Sequence, residues 1–267
     1  MQNPKTGTAF GGAIFPLFYT FLMNRYTINQ VSFIVAGTVA HLFIAAVLVK
    51  EPIVASKAGL KIPSFGAENL RKIYTLPVII YMSGIFLLLS GKRSQFPFFI
   101  PFAEDVGLTD YQPASILIIM NVADLIFRTI GGALSSTKTV RRYGQSIFVA
   151  IFVGAIGIMN LMSPIIIHDF QSFAVWAAVF GIFYALPVSS QYSSISEFTD
   201  VENTNLILSV NSLMLCGGVL VTPIINGALL DYTNSYWSTF YMAGSLMCFG
   251  AILCFFARIL HVRRYSF

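Results

Sequence analysis

The chain has 267 residues, of which 56% are apolar, 15% aromatic and 10% charged, and its mean hydropathy is +0.76. A soluble globular domain carries about 25% charged residues, so this composition excludes one and indicates a polytopic membrane protein. The net charge of +5 is not read as a nucleic-acid signal, because in a membrane protein the placement of positive residues among the loops carries the information.

Eight apolar runs follow one another, at about 7–23, 31–49, 74–91, 114–134, 147–163, 172–194, 206–230 and 238–257. Each approaches the ~20 residues that a spanning helix needs, and none shows the alternation of a barrel strand. The fold class is therefore all-α, a transmembrane helix bundle of about eight spans. The first run follows Lys5 as a signal peptide would, but it lacks a convincing small-residue cleavage site and Pro16 interrupts it, so a retained span is expected. Lys50 to Lys72, with Pro52, Pro63 and five basic residues, reads as a cytoplasmic linker dividing two spans from six.

The third span admits two readings. Lys92 and Arg93 follow its apolar run and precede a second apolar piece, Phe96 to Ala103. Either the two cations cap the span at the outer interface by snorkelling, or one long broken helix continues to Ala103 and carries them onto a cavity wall. The first is expected, since flanking cations are common and buried ones rare. Further along, small residues recur in pairs, Gly131 with Gly132, Gly154 with Gly157 and Gly217 with Gly218, as Gly7 and Gly11 do earlier. They mark close helix packing.

With the N-terminus inside, twelve positive residues fall in inner segments and only Arg25, Lys92 and Arg93 in outer ones. Both termini are then cytoplasmic. One inner loop, around Glu197, Asp200 and Glu202, holds no positive residue, although acids weigh little in this rule. Cys216, Cys248 and Cys254 lie within apolar runs and imply no disulfide framework. His41 and His168 fall in no metal or acid–base pattern, and neither a metal nor an organic cofactor is called for.

Asp124 and Arg128 stand out in the middle of the Ala114–Leu134 run. An ionised group at membrane depth costs roughly 2.5–3.5 kcal/mol on insertion scales, so such residues pair and face a protein interior or an aqueous path. Spacing i, i+4 puts both on one helix face, with the acid N-terminal to the base, the better order for a bridge. A bridge that opens offers a proton acceptor and a forked cation suited to a carboxylate; one that never opens only fixes packing. Asn121, Asn211 and Gln191 are further polar groups that line a cavity or hydrogen-bond between helices.

The segment Pro101 to Asp110, running on through Asn121-Val-Ala-Asp-Leu-Ile-Phe-Arg-Thr-Ile-Gly-Gly-Ala-Leu134, resembles the seventh to eighth spans of the monocarboxylate transporter family, within the major facilitator superfamily. A second stretch, Thr222-Pro-Ile-Ile-Asn-Gly-Ala-Leu-Leu-Asp-Tyr-Thr-Asn-Ser-Tyr236 with Phe240 to Gly244, is similar to that family's turn between spans eleven and twelve. The resemblance covers about residues 7–257 and implies spans five to twelve. It divides the chain into the last two spans of an N-terminal half (1–49), the linker (50–73), a six-span C-terminal half (74–257) and a cytoplasmic tail (258–267).

The resemblance implies that Asp124 carries the proton and that Arg128 binds the substrate carboxylate. It also implies that Tyr192 influences substrate size, although a lone aromatic is more often packing. Departures are Ser136 in place of an aspartate, Thr222 and Ile224 in place of glycine and proline, and Asn234 in place of glycine. The family's first four spans, with their acidic-glycine-tryptophan motif and lysine, have no counterpart here.

The expected function is proton-coupled transport of a monocarboxylate such as lactate or pyruvate, as part of a longer protein, with Asp124 in proton coupling and Arg128, Tyr192 and Asn121 at the substrate. The expected surroundings are the lipid bilayer at the plasma membrane, and the expected partners the missing N-terminal helices or a single-span ancillary glycoprotein. The alternatives are transport of another small solute, such as an aromatic amino acid, and a non-transporting membrane partner of a full-length relative. An enzyme ranks last, for want of a Gly-x-Ser-x-Gly, His-Glu-x-x-His or paired-carboxylate site.

Overall fold

The structure, a computed structural model, describes residues 6–48, 75–199 and 201–265; the whole of the expected linker, 50–73, lies outside the described residues, as do residues 1–5, 49, 74, 200, 266 and 267. Helices account for nearly all of it: α1 Thr6–Met23, α2 Ile28–Leu48, α3 Leu76–Gln95, α4 Phe99–Asp105, α5 Gln112–Ser135, α6 Lys138–Tyr143, α7 Gln145–Leu161, α8 Ser163–Ile166, α9 Phe170–Ile195, α10 Val201–Thr233 and α11 Trp237–Tyr265. There is a helix at each of the eight expected spans. Among the described residues, five stretches are long and apolar enough to cross a membrane: Leu76–Asp105, Gln112–Ser135, Phe170–Gln191, Leu206–Thr233 and Trp237–Arg263. The apolar helix α7 is shorter, at 17 residues. The chain is an integral, multi-pass membrane protein.

Helix order in space differs from order in sequence. The chief pairings are α5 with α9 and α3 with α11; α7 bridges α11 and α9, α10 lies on α3, and α1 lies on α5. Backbone-to-backbone approach makes these pairings possible. A Cβ placed on Gly84 of α3 would lie 2.8 Å from the Gly250 carbonyl oxygen and 2.6 Å from the Cys254 sulfur of α11. At Gly157 of α7 it would lie 3.0 Å from the Gly244 oxygen, and at Gly131 of α5 2.9 Å from the Leu186 Cα of α9. Lipid tails are as apolar as leucine, so this dense contact, rather than expulsion of water, holds membrane helices together. In two of the later pairs only one member makes a close contact, Gly131 with the backbone of α9 and Gly218 with the Ser90 and Phe86 side chains of α3; a Cβ on Gly132 or Gly217 meets nothing within 4 Å.

Polarity is arranged accordingly. On α5 the exposed stripe is Val122, Ile126 and Ile130, while Asn121, Asp124 and Arg128 are buried. Lipid takes the apolar face, and the charges turn inward. At the other end of the bundle from α4, α5 ends at Ser135 and α7 starts at Gln145 after Gly144, whose φ of 109° suits glycine. Glu197 caps that start. Its carboxylate accepts from the Ser146 amide at 3.2 Å, the Ser146 hydroxyl at 2.8 Å and the Gln145 amide. Arg258 Nη1 of α11 lies 3.5 Å from the same carboxylate. The inner loop that has no positive residue of its own thus borrows one, and residues 258–265, expected as a tail, continue α11.

The structure corrects the expectation for Lys92 and Arg93. They do not end the helix: α3 continues through a 3₁₀ turn at Phe96–Phe98 into α4, and the cations fall near the midpoint of the 30-residue stretch Leu76–Asp105, with Arg93 exposed. Pro97 has no N–H to give to a preceding carbonyl, so the helix tightens there without ending. Phe99 and Phe102 of α4 then enter an aromatic cluster with Phe173 and Trp176 of α9 and Phe240 of α11, with ring centroids 4.5–6.5 Å apart. The cluster anchors the far half of the broken helix.

Two glycine-to-alanine variants test this packing. Gly84→Ala forces a methyl into backbone that cannot yield and should lower stability by about 1–3 kcal/mol, whereas Gly217→Ala should be neutral or slightly stabilising. Thermal unfolding of the purified variants in detergent measures both.

Candidate functional site

The site begins with one turn of α5. Arg128 reaches back along the helix, its Nη2 donating to Asp124 Oδ2 at 2.5 Å and its Nε donating to Asp124 Oδ1 at 3.2 Å. The two residues are 4% and 3% exposed. Two near-parallel donors on one carboxylate are the strong form of this interaction, and burial keeps solvent from screening it. The pair is neutral as a unit, which is what makes it tolerable at mid-span.

Asn121 lies one turn nearer the start of α5 on the same face, buried, with Nδ2 donating to the Leu117 carbonyl at 2.7 Å. Gln191 is buried on α9. Tyr192 is also on α9, but its side chain lies outside those described. Asn211 belongs to a different place: it is fully buried on α10, and neither amide atom has a hydrogen-bond partner.

Two further residues come to the site that sequence reasoning did not assign there. Lys92 of α3 sets its ammonium 3.0 Å from the centroid of the Tyr184 ring of α9, a cation on an aromatic face. Asp124, Arg128 and Arg93 all act electrostatically on both Lys92 and Tyr184. Tyr184 continues a ladder along α9: its ring stacks on Phe180 at 6.3 Å and 11°, and Phe180 stacks on Trp176 at 5.0 Å. The four-residue spacing of Trp176, Phe180 and Tyr184 was visible in the sequence, but packing explains such spacing equally well. The arrangement is thus a bridged acid–base pair on α5 facing a lysine-capped aromatic ladder from α3 and α9.

The α3–α10 seam beside the site is held by polar contacts. Asn226 Nδ2 donates to the Ser94 carbonyl at 3.0 Å, and the Thr222 hydroxyl donates to Gly218 at 2.6 Å and to the Ser90 carbonyl at 3.4 Å. Threonine at position 222, a departure from the family pattern, therefore has a structural use. So has Asn234, which ends α10 at φ 50°, a left-handed conformation that asparagine tolerates almost as glycine does.

Coupling within the pair can be measured. Asp124→Leu strips Arg128 of its counter-charge in a buried setting and should cost about 3–5 kcal/mol. Adding Arg128→Leu should recover most of that loss. Denaturant or thermal unfolding of the two single variants and the double variant gives the cycle; equal, additive losses would contradict the bridge.

No family model matches the chain. Similar proteins are monocarboxylate transporter 2 of Meriones unguiculatus, 23% identical over 268 residues, covering 92% of this chain and 55% of that protein; monocarboxylate transporter 2 of Homo sapiens, 25% identical over 170 residues, covering 63% and 35%; and monocarboxylate transporter 12-B of Danio rerio, 28% identical over 186 residues, covering 69% and 39%. The chain spans between about a third and just over half the length of these curated relatives. The chain is thus similar to monocarboxylate transporters over as much as 92% of its own length, and it carries its buried charges on one turn of a spanning helix.

Proposed function

We propose that this chain forms the proton- and carboxylate-handling part of a transporter for monocarboxylates such as lactate or pyruvate. The observation that carries the reading is the buried, bidentate Asp124–Arg128 bridge. While Asp124 is ionised it occupies the Arg128 fork. A proton on Asp124 cancels that claim, and a substrate carboxylate takes the vacated donors through two parallel hydrogen bonds. The site is then neutral again, so proton and anion enter together and leave together; each raises the affinity for the other by the same factor. Asn121 supplies an amide one turn away, and Tyr192 limits substrate size from α9. The chain acts as a carrier, not an enzyme.

Orientation and setting follow from the charges. With Lys92 and Arg93 counted within a span, Arg25 is the sole positive residue left for the outer segments, which supports cytoplasmic termini. The plasma membrane is the proposed location. Further helices, on this or another polypeptide, close the cavity opposite α3, α5 and α9, and a single-span glycoprotein is a further candidate partner.

Proton linkage tests the reading without requiring net flux. Calorimetric titration of lactate into the purified chain at pH 7, in buffers of different ionisation enthalpy, should show about one proton taken up per anion bound, and none in Asp124→Asn. Lactate binding with no proton uptake in the parent chain would contradict it.

A further inference from the structure

We propose that Lys92 is a second substrate cation and that the site prefers a small dicarboxylate over a monocarboxylate of the same length. The inference rests on the reading of Asp124 and Arg128 as a carboxylate site and adds a substrate class to it. Its basis is charge balance. Arg128 and Asp124 neutralise each other, whereas among the described residues no carboxylate pairs with Lys92, whose ammonium rests on the neutral ring of Tyr184. The other charges acting on it are Asp124, Arg128 and Arg93, two of them positive. A ring face attracts a cation but does not cancel its charge.

A carboxylate that replaces Asp124 on Arg128 restores neutrality there and leaves Lys92 as it was. A second carboxylate on the same molecule removes that surplus. The neighbourhood supplies a further binding group: Gln95, one turn along α3 on the side of Lys92, is fully buried with neither its amide oxygen nor its amide nitrogen bonded. A buried amide without partners carries a standing desolvation penalty, which a ligand oxygen accepting its N–H would relieve. Lys92 and Gln95 thus stand one turn apart on α3 directly before the 3₁₀ turn at Phe96–Phe98, where the helix is broken, the setting in which membrane proteins keep irregular backbone at depth.

The test titrates succinate and monomethyl succinate, equal in chain length and different in charge, into the full purified chain in lipid nanodiscs at pH 7. Succinate should bind at least about tenfold more tightly, one ion pair's worth of affinity. Lys92→Met should bring the ratio near one, and Lys92→Arg should keep it. If Lys92→Met does not fold, the ratio in the parent chain decides alone. Equal affinities in the parent chain, or a preference that survives Lys92→Met, would overturn the proposal while leaving the Arg128 site standing. Failure of both ligands to bind would overturn that site and the proposal with it.

Discussion

A charge in the hydrocarbon core has no water to fall back on, and this constraint organises the protein around one turn of α5. Asp124 and Arg128 are tolerable there because each is the other's solvent, through two hydrogen bonds that four-residue spacing allows without distortion. The same mutual dependence makes the pair responsive. Any event that changes the charge of one, protonation of the acid above all, leaves the other in deficit and creates an affinity for an ion of matching sign. A brace and a switch use the same two residues, and what separates them is whether an anion can compete for the fork.

The rest of the bundle keeps that turn in place. α5 is pressed on α9 through Gly131 and Gly181, so the bridge and the Tyr184 ring hold a fixed register. α3 is pressed on α11 through Gly84 and Gly91, which fixes the height of Lys92. Away from the site, Glu197 binds the start of α7 and pairs with Arg258 of α11, tying three helices at the end of the bundle opposite α4. These contacts use backbone approach and charge-assisted hydrogen bonds, both of which keep their strength where the hydrophobic effect supplies none.

Much of this was legible in the sequence, for identifiable reasons. Continuous apolar runs located a helix at every expected span, because a bilayer imposes length and polarity on each run independently of its neighbours. The Asp124–Arg128 contact was legible because it is local to one helix. Lys92 was misread because two cations followed by Pro97 look like the end of a span; the structure runs on, since one missing N–H only tightens a turn. Tyr184 and the Glu197–Arg258 pair depend on which helices are neighbours, and that is set by glycine contacts whose partners hydropathy does not reveal. Among the glycines themselves, Gly131 and Gly132 look alike in sequence, and only packing distinguishes the contact from the bystander.

The central claim is that the Asp124 carboxylate gives up Arg128 to a substrate anion by taking a proton. Infrared difference spectroscopy of the chain in lipid, with and without lactate, observes that event at the group concerned. The account predicts that lactate brings up the carbonyl stretch of a protonated carboxylic acid and bleaches a carboxylate band, and that both changes vanish in Asp124→Asn. A spectrum in which lactate binds while Asp124 stays ionised would contradict the account and make the bridge a fixed brace.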